Sequence, residues 1–163
     1  MDDRVKVLVI SDTHGNIEGA LEALKKEPGI SEIWHLGDHA SDAKRISDRA
    51  GIPFIAVRGN CDGNSGMYEE SVTVSVMGRK AFLAHGHTLG VGFSLIRLQL
   101  KAEEEGAEIA LFGHTHVPDM SFQGRLIMMN PGSISLPRMG HPTTYGILKI
   151  GTDGIYPEIK RLR

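Results

Sequence analysis

In residues 5–58, short apolar runs alternate with stretches whose apolar positions recur at helical spacing. "VKVLVI" (5–10) is β-branched and predicts a strand. "NIEGALEALKKE" (16–27) places Ile17, Ala20, Leu21 and Leu24 at i, i+3, i+4 and i+7, which predicts a helix that "PG" (28–29) ends. "SEIWHL" (31–36) and "PFIAVR" (53–58) read as further strands, with "SDAKRISDRA" (41–50) between them as a short helix capped by Ser41. This β-α-β-α-β order implies parallel strands with helical crossovers. The rhythm then changes. "SVTVSVM" (71–77) alternates, with Val72, Val74 and Val76 on one face, and "GR" turns it into "KAFLA" (80–84) as a hairpin. "FSLIRLQLKAEE" (93–104) carries a broad apolar helical stripe, and "EIALF" (108–112) is another strand. From 118 onward, "DMSFQ", "RLIMMN", "TTYGILKI" and "IYPEIKRL" are joined by Gly-containing turns and predict antiparallel strands. The expected fold class is α/β: two packed sheets with helices outside.

Composition narrows the function classes. The 163 residues suffice for one domain, 1–163, with a real core. With 40% hydrophobic and 23% charged residues, the composition is ordinary and argues against disorder. No repeat, low-complexity tract or charged linker divides the chain. Formal net charge is −2, and the basic residues are scattered apart from "KRLR" (160–163), which argues against binding long nucleic acid by charge. The single cysteine, Cys61, excludes an internal disulfide and a Cys-based zinc cage. "MDDRVKVLVI" passes from acidic residues straight into a strand-like run, unlike a signal peptide. No apolar stretch approaches the ~18 residues that span a membrane. The expectation is a soluble cytoplasmic protein, with homo-oligomerisation left open. The unusual count is eight histidines, whose ring nitrogens suit borderline metals.

Five apolar runs end in residues able to bind metal. "VLVI" leads into "SDTH" with Asp12 and His14, "IWHL" into "GD" with Asp38, and "FIAVR" into "GN" with Asn60. "AFLA" leads into "HGH" with His85, and "IALF" into "GHTH" with His114 and His116. Ligands of open α/β sheets bind beyond the carboxyl ends of strands, so five such ends predict one polar cluster. In extended backbone, residues two apart point the same way, which would aim each D-x-H and H-x-H pair at one centre. Glycines 37, 59 and 113 would allow sharp exits from the strands. Alone, each motif is weak, since a lone His-x-His is usually incidental and "GD" or "GN" usually marks a turn. Their recurrence at five strand ends is what carries the prediction.

The order D-x-H, G-D, G-N, H-G-H, G-H-T-H resembles the calcineurin-like metallophosphoesterases. "VRGNCD" (57–62), "AHGH" (84–87), "FGHTH" (112–116) and "NPGSISLPR" (130–138) are similar to the small bacterial and archaeal branch of metal-dependent phosphodiesterases, which also includes the retromer subunit Vps29. The resemblance spans nearly the whole chain. It implies a two-sheet α/β/β/α sandwich and two divalent metals, manganese first, with nickel, cobalt, iron or zinc as options. By position, one metal would be held by Asp12, His14, Asp38 and His116, and the other by Asp38, Asn60, His85 and His114, with Asp38 bridging. The donors are all nitrogen and oxygen, which suits those metals. Two carboxylates against two divalent ions leave about +2, ready for a hydroxide and a phosphate. Such a pair activates water for in-line attack on phosphorus.

Neighbouring residues have weaker claims. Cys61 stands where most relatives carry a histidine thought to protonate the leaving group; a thiol of pKa ~8.5 suits that task poorly, and the alternative is a small buried residue with no role. Asp62 would orient a ligand or stabilise its turn, with equal weight. His87 would reach substrate phosphate as a catalytic residue beside Asp38 and Asn60, or stand idle at the rim. His39 would point away from Asp38 in extended backbone and is not expected to ligate. Arg58 reads as a strand-end salt bridge before a substrate contact, and "NPGS" as a packed turn before an anion site. His35 and His141 have no motif support. The first functional reading is hydrolysis of small or activated phosphodiesters. A protein-binding scaffold of Vps29 type is the alternative, and a nuclease for long DNA comes third for want of a basic groove.

Overall fold

The computed structural model describes residues 3–63 and 66–163. Strand β1 (Val5–Ile10), helix α1 (Glu18–Lys26), β2 (Glu32–His35), α2 (Ser41–Ala50) and β3 (Phe54–Ala56) follow the expected alternation. Then come β4 (Ser71–Val76), β5 (Arg79–Ala84), α3 (Ile96–Glu104), β6 (Ile109–Leu111), β7 (Asp119–Gln123), β8 (Leu126–Asn130), β9 (Thr144–Gly151) and β10 (Gly154–Arg161). They form two mixed sheets, ordered β10-β9-β1-β2-β3 and β4-β5-β6-β8-β7. In the first, β1, β2 and β3 run parallel. In the second, β5, β6 and β8 run parallel.

Alternation within the strands builds the layers. Val7, Val9, Trp34 and Leu36 of the first sheet face Ala81, Leu83, Ile109, Leu111 and Met129 of the second across one apolar seam. The partly buried Val72, Val74 and Val76 of the predicted hairpin pack against the same seam. The intervening residues of the first sheet, Leu8, Ile10 and Ile33, face outward onto Ala20 and Ala23 of α1 and Ile46 of α2. On the opposite outer face, Phe82, Ala110, Phe112 and Met128 pack on Leu98 and Ala102 of α3. The four layers are thus helices, sheet, sheet, helix. Cutting a fully buried seam residue such as Leu83 back to alanine is expected to cost about 2–5 kcal/mol.

Three sequence expectations need correction. Ser41 is not the cap of α2: it is the first helical residue, Ala40 holds the cap position, and no side chain of that pair caps the helix. The Ala40 N–H donates instead to Asp62 Oδ1 at 2.9 Å, a partner 22 residues away. Helix α3 begins at Ile96, because Phe93 and Ser94 donate their N–H groups to Gly90 O and close a turn ahead of it. The strands after 118 are not all antiparallel, since the β7–β8 hairpin returns β8 alongside β6 in the same direction. No helix among the described residues is long and apolar enough to cross a membrane.

Candidate metal centre

Parallel pairing brings the carboxyl ends of β1, β2, β3, β5 and β6 to one end of the sandwich, and each is followed within a few residues by a predicted ligand. The cluster forms, but extended backbone does not form it. Asp12 (φ 57°), His14 (48°), Asp38 (61°), His114 (71°) and His116 (61°) all lie in the left-handed region, as does His39 (63°). Such a conformation costs a non-glycine residue about 1–2 kcal/mol. Strain gathered on one set of polar side chains is the mark of a functional site. The glycines serve differently from expectation too. Gly37 has positive φ, whereas Gly59 and Gly113 do not; they are needed for close approach. A Cβ at Gly59 would lie 2.3 Å from Asp38 Oδ1, and one at Gly113 2.0 Å from Ser11 Oγ.

Asp12, His14, Asp38 and His116 each offer one ligand atom, and these four atoms lie within 4.8 Å of one another. His116 donates from Nδ1 to Leu136 O at 2.6 Å, so its Nε2 carries a bare lone pair when the ring is neutral. That nitrogen stands 3.1 Å from Asp12 Oδ1 and 3.4 Å from His14 Nε2. Asp12 Oδ1 is buried with no hydrogen-bond partner among the described residues, while Oδ2 accepts the Ser11 hydroxyl at 2.6 Å. A lone pair facing a carboxylate oxygen in a buried site needs a proton or a cation between them. The residues therefore fit a divalent ion. The adjacent Asp12 carboxylate pushes the His116 ring above its ordinary pKa, whereas burial pushes His14 down.

Asn60, His85 and His114 gather beside Asp38. His85 donates from Nδ1 to Leu36 O at 2.7 Å, which frees Nε2; this lies 3.4 Å from Asp38 Oδ2 and 3.1 Å from Asn60 Oδ1. His114 Nδ1 is 3.1 Å from the same Asn60 oxygen. Burial works against a charged His85, but the Asp38 hydrogen bond and the Asp12 and Asp38 charges outweigh it and raise its pKa. Asp38 is opposed by burial as well, yet His85 and the Cys61 N–H, 2.9 Å from Oδ1, hold its carboxyl well below the usual range. His114 is lowered, by burial first and then by the His85 charge.

The remaining candidates fall into place around this cluster. His87 opens a short 3₁₀ turn (His87–Leu89), with its ring 5.5 Å from His85 and its buried Nδ1 lacking a partner among the described residues. Burial, then the His85 charge, lower its pKa. Cys61 is exposed, so the buried alternative fails; partial burial and the Asp38 charge push its thiol up, further from an acid useful at neutral pH. Asp62 accepts the N–H groups of Asp38 (2.9 Å), Gly59 (2.7 Å) and Ala40 (2.9 Å), so it staples the Asp38 loop to the Asn60 loop and both readings hold at once. Arg58 pairs with Glu70 at 2.7 Å. His39 is exposed, with its ring 5.3 Å from His14 and no atom in the four-ligand cluster. His141 lies exposed in a turn.

Sequence reasoning missed the supports. Ser133 and Ser135 donate their hydroxyls to Asp12 O at 2.9 and 3.0 Å, and Asn130 donates to Gly113 O at 3.1 Å. The "NPGS" segment thus holds the Asp12 and His114 loops together. His35 is fully buried, and burial depresses its pKa to about 4, so the ring is neutral.

Residues 5–153 match the model of the calcineurin-like phosphoesterase superfamily domain. The chain belongs to that superfamily. It is 34% identical to a probable metallophosphoesterase, YsnB, of Bacillus subtilis over 91% of this chain and 86% of that one. It is 29% identical to the phosphodiesterase YfcE of Escherichia coli, covering 88% and 87%. The crystal structure of Vps29 complexed with zinc from Entamoeba histolytica superposes with a TM-score of 0.77 at 19% identity, covering 98% of this chain and all of the other, which bears on the fold. Membership of this metallophosphoesterase family, together with the clustered Asp/His site, supports a metal-binding hydrolase.

Proposed function

We propose that the chain is a dinuclear metal-dependent phosphodiesterase acting on small or activated phosphodiesters. Asp12, His14, Asp38 and His116 would hold one ion, and Asp38, Asn60, His85 and His114 the second, with Asp38 common to both sets. The observation that carries this reading is the buried Asp12 Oδ1 beside the Nε2 of His116, in a cluster of four ligand atoms that a divalent cation would complete. Manganese leads among the metals that a nitrogen and oxygen donor set accepts, and the zinc-bound Vps29 keeps zinc in view. Two divalent ions there would supply an activated water and positive charge for the phosphoryl oxygens. Around them the chain's own residues bind and orient. Leu36 O and Leu136 O fix the tautomers of His85 and His116, Asp62 sets the Asp38 backbone, and His87, its ring 5.5 Å from that of His85, would meet the phosphate. The name of YfcE supports diesters as substrates. Net charge −2 argues against long nucleic acid as the substrate.

The Vps29 likeness favours a second reading, a protein-binding scaffold. Seven competent ligand residues weigh against it, since a scaffold has no need of five residues strained into left-handed backbone. Hydrolysis of bis-p-nitrophenyl phosphate by chelator-stripped protein, then with Mn²⁺, Ni²⁺, Co²⁺, Zn²⁺ or Mg²⁺ restored, separates the two. Metal-dependent turnover is expected. Stoichiometric metal uptake with no turnover of this or any other diester would favour the scaffold.

A further inference from the structure

Asp42 belongs to none of the motifs above, yet it lies beneath the first ligand set. It is 2% exposed, and both its oxygens are occupied. Oδ2 accepts the Thr13 hydroxyl at 2.6 Å and the Gly15 N–H at 2.8 Å, and Oδ1 accepts Arg45 at 2.9 Å. Thr13 Oγ1 also lies 2.9 Å from His35 Nε2, and the Gly37 N–H reaches His35 Nδ1 at 3.0 Å. The direction of every bond follows from its ends. Gly37 can only donate, so His35 Nδ1 accepts and Nε2 carries the ring proton. His35 then donates to Thr13, and the one hydroxyl proton of Thr13 goes to Asp42. Thr13 and His35 are fully buried, so the chain of bonds is cut off from water. It ties Thr13, between Asp12 and His14, Gly15, just after His14, and Gly37, just before Asp38, to a single carboxylate.

We infer that Asp42 is a positioning residue for the first metal site: through Thr13, Gly15 and His35 it holds residues 12–15 and 37–38 in the backbone that aims Asp12, His14 and Asp38. The inference rests on the metal-centre reading proposed above. Aspartate and histidine leave left-handed φ unless their surroundings over-determine it, and here four backbone or side-chain donors and acceptors do so at once. Asparagine at 42 would set an amide donor against at least one of the N–H or O–H groups that Asp42 accepts. Glu27 offers the natural control. It is 5% exposed and accepts from Tyr145 at 3.0 Å and Lys160 at 2.7 Å, with Lys6 at 3.0 Å. It ties α1 to β1, β9 and β10 and adjoins no ligand residue.

The test measures Mn²⁺ affinity by calorimetry on the metal-stripped full chain, together with the melting temperature of the apo-protein. Wild type, Asp42→Asn, Thr13→Val, the double variant and Glu27→Gln are compared. Losing an outer hydrogen-bond partner of a metal site typically costs about 10–100-fold in affinity, and that loss is expected at the tighter site for Asp42→Asn and Thr13→Val. The double variant is expected to be no weaker than the weaker single, because both residues act on one chain of bonds. Glu27→Gln is expected to lower the melting temperature while leaving affinity within about twofold, as distant sites do. An Asp42→Asn protein that melts lower but binds Mn²⁺ like wild type would make Asp42 another Glu27 and overturn the inference. Additive losses in the double variant would overturn it too. If Asp42→Asn does not fold, Thr13→Val reads the same quantity, and unchanged affinity there overturns the inference equally. Wild type that takes up no Mn²⁺ would overturn the metal-centre reading and this inference together; uptake that the variants leave unaltered overturns this inference alone.

Discussion

The two halves of the site contain similar ligands in unlike surroundings. Asp12, Asp38 and His116 are 0–3% exposed and His14 is half-buried, and two serine hydroxyls and Leu136 O hold the Asp12 and His116 loops. In the second half, His85 is buried, but His114 is half-buried and Asn60 exposed. The first half places two carboxylates around its centre; the second has Asp38 and a neutral amide. A largely buried, pre-oriented, doubly anionic set is expected to bind a cation more tightly. An open set sharing one anionic ligand binds it weakly and leaves room for substrate. On the proposed two-ion reading, the first half would retain its ion and the second would exchange it.

The greatest loss is expected from removing what the halves share. Asp38→Asn is expected to lower kcat/KM by at least about 10²-fold, beyond the usual cost of an outer partner, whereas Cys61→Ala changes it only a few-fold. Comparable losses would remove Asp38 from its bridging place. Next in size, His116→Ala is expected to abolish the tighter phase of metal uptake, and His114→Ala the weaker phase alone, leaving one ion bound. If both variants lose the same phase, the halves are not separate.

The five strand ends were legible because an apolar run followed by Asp, Asn or His is a local pattern. The left-handed backbone was not, because nothing in "SDTH" or "GHTH" announces a φ that tertiary contacts impose. The same holds for the caps and locks. Ser41 has the right chemistry for a cap, but the Ala40 N–H is met by Asp62 from another loop. Asp42 reaches Thr13 across 29 residues and His35 reaches it across 22, spacings that no motif encodes. "NPGS" could be read as a turn, but its hydrogen bonds to the Asp12 and Gly113 carbonyls depend on the two sheets packing together.

A lesser effect, common to both halves, runs through protons. His116 and His85 have raised pKa values without metal, His116 through Asp12, and His85 through Asp38 and Asp12 against its burial. Their contribution to apo-protein stability is full below the unfolded imidazole pKa of about 6.5 and fades as pH rises through the folded values. Metal uptake has the opposite sign: affinity falls as pH drops through that range, and uptake near pH 7 releases protons. Calorimetry in buffers of different ionisation enthalpy reads this directly, and identical heats in all of them would mean that both rings are already bare.

The most modest change concerns the leaving group. A well-placed general acid contributes about 10²–10⁴-fold, most where the leaving group is most basic. With an exposed, high-pKa Cys61 beside Asn60, wild type is expected to prefer p-nitrophenyl diesters to alkyl monoesters. Cys61→His is expected to raise kcat/KM for alkyl esters more than for nitrophenyl ones at equal metal content. An equal rise in both would pass the proton to another group, His87 first.

Whether two ions are held unequally is read from calorimetric titration of the metal-stripped chain with Mn²⁺, with metal content of the product counted by mass spectrometry. Two ions per chain in two resolved phases are expected, the tighter one surviving His114→Ala. A single ion per chain with Mn²⁺ or Zn²⁺ in large excess would contradict the unequal pair.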